Sequence, residues 1–166
     1  MKQLHFVALD AFGHEVANRL AVYHPATVSG FEIANEPSQW PSSSVQVVAS
    51  QREHPALFEK MDAMAFALGR PWIPIVLEPR SLRVGPRIEP EVSACYRCFS
   101  ARQHQHNRRT ATDIELGSLF DVDRNTGYFG YLPSHVSMAT ILVRRLIKGL
   151  DSEHAHSTSS TMYRVG

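Results

Sequence analysis

Segments with the pattern of buried strands alternate along this chain with segments of helical periodicity. Apolar or valine-rich runs predict strands at residues 4–10, 27–33, 45–50 and 71–78, and a fifth at 81–84 that pairs back with the fourth. Apolar residues at helical spacing predict helices at residues 14–23, 54–69 and 134–150. Strands that alternate with helices are typical of a parallel sheet with crossover helices. The sequence therefore predicts an α/β fold with a mainly parallel sheet.

The segment between residue 98 and the last helix has weaker patterns. Residues 99–109 are polar and basic, and they are interpreted as a solvated stretch. Residues 110–127 combine a few apolar positions with turn-forming residues, which predicts a loop with a short helix.

Length and charge limit the possible classes of protein. The 166 residues, of which 43% are hydrophobic and 20% charged, suit one soluble domain. The formal net charge of +1 creates no overall field that would favour nucleic acid or an anionic membrane. No apolar run approaches the roughly 18 residues that a bilayer span needs, and no signal-peptide pattern opens the chain. We therefore expect a cytoplasmic protein without a membrane or nucleic-acid partner.

The turn after the first strand is where an α/β fold of this kind would bind a nucleotide. A dinucleotide fingerprint requires glycines there, because the backbone must approach a phosphate closely at a helix N-terminus. This chain has Asp10 and the bulky Phe12 at that turn, and Gly13 is its one glycine. A carboxylate repels phosphate, so ATP is not expected as a cofactor, and Gly13 is interpreted as a residue that permits close helix–strand packing.

Four blocks of the sequence together resemble a known family. They are VVAS before the second long helix, GRPWIPIVLE, RVGPRIEPEVSACYRC, and GYFGYLPSHVSMATILVRRL. In this order they are similar to the ThiF-like adenylating superfamily, and most closely to the ThiF-like partners of YcaO cyclodehydratases in thiazole/oxazole-modified peptide biosynthesis. The resemblance implies a truncated Rossmann-like domain over residues 1–150, with residues 151–166 as a C-terminal tail or an extra strand.

The chain also departs from the family pattern. The glycine-rich nucleotide loop, the arginine and aspartates that hold ATP and magnesium, and the conjugating cysteine of active members have no clear counterpart, so no catalytic or cofactor-binding residue is predicted. The leader-binding module of peptide-modifying relatives is expected either to be missing or to lie on another polypeptide.

The resemblance and the departures together imply a non-catalytic accessory protein in the biosynthesis of a ribosomally made, modified peptide. Its expected partners are the modifying enzyme, of YcaO type or similar, and the precursor peptide, and a homodimer or heterodimer is expected. Two alternatives stay open: a divergent ATP-dependent adenylating enzyme, and a small structural zinc protein.

Cys95 and Cys98, the two cysteines of the chain, are spaced Cys-x-x-Cys. The family commonly holds a structural zinc with two such pairs, which makes Cys95 and Cys98 candidate zinc ligands here. One pair supplies half of a tetrahedral site. His104, His106, His154 and His156 are the candidates for its completion, none at a standard spacing. A pair of buried cysteines left from a lost metal site, and a redox pair at a helix start, are the other interpretations.

Overall fold

One six-stranded sheet forms the centre of the protein, in the order β2-β1-β3-β4-β5-β6. The computed structural model describes residues 3–106, 110–123, 126, 129–150 and 162–166. Strands β1 to β4 are parallel, while β5 is antiparallel to both of its neighbours, β4 and β6. The strands are β1 (Leu4–Ala8), β2 (Ala26–Ser29), β3 (Val45–Ser50), β4 (Trp72–Glu78), β5 (Ser81–Val84) and β6 (Tyr163–Val165). The predicted α/β fold with a mainly parallel sheet is confirmed.

Helices cover both faces of the sheet. They are α1 (Ala11–Ala21), α2 (Phe31–Asn35), α3 (Pro55–Ala67), α4 (Tyr96–Gln105), α5 (Ala111–Val122) and α6 (Pro133–Gly149). Helices α1 and α6 bury their apolar stripes against one face, and α2, α3 and α4 pack on the other, where α5 lies against α3. Every residue of β1 and β3 is buried, as expected for parallel strands that are covered on both faces. Among the described helices, none has the length and hydrophobicity needed to cross a bilayer.

The structure corrects three sequence predictions. The strand predicted through residue 33 ends at Ser29, because Gly30 caps the short helix α2 as the chain leaves the sheet edge. The first helix begins at Ala11, three residues earlier than predicted. Residues 99–105 of the predicted polar stretch belong to helix α4, and residues 111–122, predicted as a loop with a short helix, form the full helix α5.

Strand β6 extends the sheet beyond β5 and includes residues from the predicted C-terminal segment. Its pairing places Tyr163 beside Val84 and Val165 beside Leu82. The division into a domain of residues 1–150 and a segment of 151–166 stays a prediction.

Gly13 lies where α1 crosses closest to the sheet. A Cβ atom on this residue would stand 2.5 Å from the carbonyl oxygen of Ala49 and 3.1 Å from the Cα of Ala8. Both are backbone atoms of central strands, so neither can move away cheaply. The glycine therefore sets the distance between α1 and the sheet.

We expect Gly13→Ala to destabilise the protein by about 2 kcal/mol, because the steric clash outweighs the gain of up to about 1 kcal/mol in helix propensity. Urea denaturation measures the change. Gly30→Ser is the matched control, since a Cβ there meets no atom within 4 Å and serine is a good N-cap. A Gly13→Ala variant as stable as the wild type would contradict the packing role.

A buried polar pair lies near the amino ends of the central strands. His5 of β1 stands opposite Gln46 of β3, and both are fully buried. His5 Nε2 is 3.1 Å from Ser29 Oγ, and its ring meets that of Trp40 edge-on at 5.9 Å. Burial, with a smaller contribution from the positive charge of Arg70, lowers the pKa of His5 to about 4. The imidazole is therefore neutral in the folded protein at neutral pH.

This pKa makes stability depend on pH. An unfolded histidine binds a proton near pH 6.5, whereas folded His5 resists protonation until about pH 4. The stability linked to His5 is thus complete above pH 6.5 and falls by about 3 kcal/mol as the pH drops towards 4. Denaturation curves across this range should show the loss, and His5→Gln should reduce it. His14→Gln, at an exposed position, is the control for a histidine substitution outside the core.

Candidate functional site

The carboxyl ends of β1 and β3 meet at the point where the strand order reverses. Strand β1 has β2 on one side and β3 on the other, and the helices that follow β1 and β3 leave towards opposite faces of the sheet. Open α/β sheets bind their ligands in the crevice at such a switch point. The amino ends of α1 and α3 both open at this edge of the sheet.

The Asp10 carboxylate fills the position at the start of α1. Its Oδ1 accepts a hydrogen bond from the Gly13 backbone N–H at 2.9 Å. Its Oδ2 accepts from the Ser50 hydroxyl at 2.9 Å and from the Gln51 backbone N–H at 2.6 Å. A helix N-terminus and nearby backbone N–H groups are the donors that would otherwise bind a phosphate. Here the Asp10 side chain accepts hydrogen bonds from these donors and connects the end of β1 to the end of β3.

A second carboxylate, that of Asp121 at the end of α5, stands at the start of α3. Its Oδ2 accepts from the Ala56 backbone N–H at 2.9 Å, in the first turn of α3. His54 is the N-cap residue of α3 but makes no side-chain cap, and its Nδ1 lies 4.0 Å from Asp121 Oδ1. Burial lowers the pKa of His54 against the opposing effect of Asp121 and Asp10, so the ring is largely neutral. Both helix N-termini at the switch point are thus capped from within the chain.

Arg52 holds the segment after α5 over the same edge. Its guanidinium lies 4.5 Å from the centre of the Phe129 ring and 5.5 Å from that of Phe120. It also donates a hydrogen bond to the Thr126 carbonyl oxygen. Cation–aromatic contacts of a buried arginine are worth more than exposed ones. Phe120 at the end of α5, Thr126 and Phe129 thus form a cover with Arg52 over the switch point.

A cavity of about 490 Å³ opens beside this cover, among the ends of β4 to β6 and the helices α4 and α5. Val76, Phe99, Leu116 and Phe120 supply apolar wall, while Ser100, Gln103 and Thr110 supply polar groups. Gln103 Oε1 is buried and has no hydrogen-bond partner among the described residues. The size is in the range of small-molecule and peptide side-chain sites.

Arg83 forms the charged floor of the cavity and is 1% exposed. Its Nε lies 2.8 Å from Glu78 Oε1, its Nη2 lies 3.0 Å from Glu53 Oε1, and its Nη1 donates to the Gly85 carbonyl oxygen at 3.2 Å. Burial alone would lower the pKa of Arg83, but the carboxylates of Glu53 and Glu78 outweigh it and raise the pKa. Arg164 of β6 adds a contact of 3.2 Å to Glu78. The charges of the floor therefore balance one another.

Tyr96 connects this floor to the core and fixes the start of α4. Its hydroxyl donates to Glu53, and its backbone N–H donates to Asp62 Oδ2 at 3.0 Å. The other oxygen of Asp62 accepts from Trp72 Nε1 at 2.9 Å. Burial raises the pKa of Asp62, and the hydrogen bonds from Trp72 and Tyr96 act against that rise. Helix α4 is in this way attached to α3 and β4 at its first residue.

Cys95 and Cys98 lie at the amino end of α4. Cys95 is the N-cap residue, and its sulfur accepts from the Cys98 backbone N–H at 3.4 Å and lies 3.1 Å from the Cys98 sulfur. Cys98 is exposed and Cys95 is partly exposed, so the interpretation as two buried cysteines is wrong. The hydrogen bond to Cys95 raises the pKa of the Cys98 thiol.

The structure separates the cysteines from two of their candidate zinc partners. His104 is six residues after Cys98, which places it about 9 Å further along the helix axis and on another face. Two ligands of one zinc ion lie within about 4.6 Å of each other, so neither His104 nor His106, the C-cap residue, reaches the pair. No cluster of three metal-binding side chains occurs in the part of the chain that the structure describes. His154 and His156 fall outside that part, and the zinc site at Cys95 and Cys98 stays a prediction.

Comparison with known proteins gives similarity of structure only. No family model matches the sequence, and no curated protein matches it significantly. The solved structures of the heterocyclase TruD and of MccB have the same fold. TruD matches with a TM-score of 0.59 and 16% identity over 87% of this chain and 20% of its own. The microcin C7 biosynthetic enzyme MccB in complex with N-formylated MccA matches with a TM-score of 0.58 and 11% identity, over 88% of this chain and 56% of its own. E. coli MccB with ATP matches with a TM-score of 0.57 and 11% identity, over 88% of this chain and 54% of its own.

These matches are consistent with the predicted ThiF-like fold. The chain spans about a fifth of TruD and just over half of MccB. At identities this low the similarity concerns the fold and leaves activity open.

Sequence reasoning located Asp10 and Gly13 but missed their partners. The Thr110-x-x-Asp113 capping box marks the start of α5 and is readable in the sequence. The pairing of Asp121 with α3 and the burial of Arg83 depend on contacts between distant segments, which no local pattern reveals.

We expect Asp10→Ala to destabilise the protein by about 2–4 kcal/mol, because it removes an N-cap and the acceptor of two further buried donors. Asp10→Asn keeps an acceptor oxygen and should cost about half as much. Asp113→Ala, in the exposed capping box of α5, is the control and should cost about 1 kcal/mol or less. Equal losses for Asp10→Ala and Asp113→Ala in urea denaturation would contradict the bridging role of Asp10.

Proposed function

We propose that this protein is a non-catalytic accessory protein in the biosynthesis of a ribosomally made, post-translationally modified peptide, where it binds the modifying enzyme, the precursor peptide or both. The observation that carries the proposal is the occupation of both helix N-termini at the switch point by Asp10 and Asp121. The fold belongs to a structural class that includes a heterocyclase and a microcin biosynthetic enzyme. The chain keeps this fold, but its own carboxylates occupy the helix N-termini where a nucleotide phosphate would bind.

Electrostatics argues against ATP at this position. Bringing a phosphate charge to about 4 Å from the Asp10 carboxylate costs about 1 kcal/mol in water and about 4 kcal/mol near a protein surface. The Gly13 N–H that would compensate already donates to Asp10. Arg52, which could neutralise a phosphate, contacts Phe120, Phe129 and the Thr126 carbonyl instead.

The cavity beside the switch point suits a peptide better than a nucleotide. Glu53 and Glu78 are paired with Arg83 and Arg164, and the cavity lining also contains Arg80 and Asp113. Three arginines and three carboxylates therefore leave this lining without surplus positive charge for a polyphosphate. The apolar wall can take an uncharged side chain, and Gln103 Oε1 can accept from a peptide N–H. We therefore place the binding of the precursor peptide, or of a segment of the modifying enzyme, at this cavity.

The outer surface of α5 extends the same contact area. Its partly exposed apolar residues are Ile114, Leu116, Leu119 and Val122. Leu116 belongs both to this surface and to the cavity wall. Exposed apolar residues grouped around a polar cavity are typical of protein interaction sites. The dimer expected from the family resemblance stays a prediction.

Co-expression with the products of neighbouring genes tests the proposal. We expect the protein to co-purify with a modifying enzyme or its precursor peptide, and modification to slow without it. Leu116→Asp should weaken the complex at least about tenfold, because it places a charge on the apolar contact area. Ile141→Asp, at a 63% exposed position of α6 on the opposite face of the sheet, is the matched control and should bind normally.

Two results would overturn this function. Modification at full rate without the protein would exclude an accessory role. Calorimetric titration with Mg-ATP that gave a micromolar dissociation constant would favour the alternative of an adenylating enzyme, since the Asp10 carboxylate should prevent such binding.

A further inference from the structure

The two cysteines form a site that the accessory function does not use. Their sulfur atoms lie 3.1 Å apart at the amino end of α4, and the Cys98 side chain is open to solvent. The Cys95 sulfur accepts a hydrogen bond from the Cys98 backbone N–H, and the Cys95 thiol donates one to the Cys98 sulfur. A helix N-terminus stabilises developing negative charge, and Cys95 is the N-cap residue of α4.

The surroundings favour exchange between sulfur atoms over metal binding within the described chain. Zinc takes four ligands, whereas in the described ranges these two sulfurs are not joined by a third metal-binding side chain. His104 and His106 lie further along α4, at its C-terminal end. The two sulfurs need little movement to bond, because both already lie in the first turn of one helix. Cys95 is partly exposed and Cys98 is exposed, so a small reactant can approach both sulfurs.

We propose that Cys95 and Cys98 are a redox-active dithiol that exchanges with small-molecule disulfides and so sets the state of the helix that lines the cavity. The Cys95 thiolate, its proton released to water, attacks one sulfur of the small disulfide, and the other sulfur leaves as a thiolate and takes up a proton. Cys98 then loses its proton and attacks the Cys95 sulfur, which releases the second small thiol. One protein dithiol and one small disulfide become one protein disulfide and two small thiols.

The position of the pair connects this reaction to the cavity. Cys95 caps α4, and its thiol loses the hydrogen bond that it donates to the Cys98 sulfur when the disulfide forms. Tyr96, the next residue, is anchored to Asp62 and Glu53, while Phe99 and Gln103 line the cavity one and two turns further along. A change in the first turn therefore reaches the cavity wall through one short helix.

Equilibration of the purified full-length chain in a series of oxidised and reduced glutathione, followed by alkylation and intact mass analysis, tests the chemistry. We expect the wild type to change from a doubly alkylated to an unalkylated form without bound glutathione. Cys98→Ser should instead keep one glutathione on Cys95, because the second step is blocked. Cys95→Ser keeps a good N-cap, and it should not form the internal disulfide at any ratio.

Three results would overturn the proposal. The wild type could stay doubly alkylated at every ratio, or it could hold glutathione in place of an internal disulfide. Near-stoichiometric zinc in protein purified without a histidine tag, with both thiols protected from alkylation until the metal is chelated, would assign the pair to a metal site.

Hydrogen exchange of the reduced and oxidised forms tests the connection to the cavity. We expect the exchange rates of backbone amides in α4 to differ at least about threefold between the two forms, with those of α6 on the opposite face unchanged. Identical exchange in α4 after complete oxidation would show that the cavity wall does not respond to the disulfide.

Discussion

The Asp10 carboxylate is the link on which the edge of the sheet depends. It joins the end of β1, the start of α1 and the end of β3 through three hydrogen bonds. In a nucleotide-binding α/β protein these groups face a ligand that comes and goes. Here the anion is covalently part of the chain, so the donors are satisfied at all times and the local structure does not depend on an occupant. Asp121 does the same at the start of α3, and Arg52 contacts the rings of Phe120 and Phe129 at the same edge of the sheet.

Much of the fold was predictable because the central strands are buried on both faces. The predicted bounds of β3 and β5 agree with the structure, and the apolar stripe of α6 is buried as its periodicity indicates. The predictions failed where burial is partial. Strand β2 lies at the sheet edge, and α4 is a polar helix attached mainly through Tyr96, so neither carries a strong periodic signal. At the candidate site, Asp10 stood out because it replaces an expected glycine. The partners of Asp121 and Arg52 are 60 or more residues away in the sequence, and the role of Arg83 depends on its burial. A local sequence pattern encodes neither property.

The charged side chains at the floor of the cavity neutralise one another. An arginine that is buried beside a single glutamate would leave one hydrogen-bonding edge unsatisfied, whereas two glutamates and a backbone carbonyl use both edges of the Arg83 guanidinium. Buried ion pairs add little net stability, because desolvation offsets most of the attraction, but removing one member leaves an uncompensated charge. The network therefore acts mainly to fix geometry: it holds the carboxyl end of β4, the adjoining part of β5 and the start of α4 around an open space.

This mutual dependence has an evolutionary consequence. A neutral residue in place of Arg83 would remove the cation that Glu53 and Glu78 share and leave Glu78 with Arg164 at 3.2 Å, and the loss of either glutamate would leave the buried arginine half-paired. Single changes at these positions are thus selected against, while a joint replacement by apolar residues of similar volume is tolerated. In related chains the three positions should covary as a unit, so that a lineage has either the whole triad or none of it.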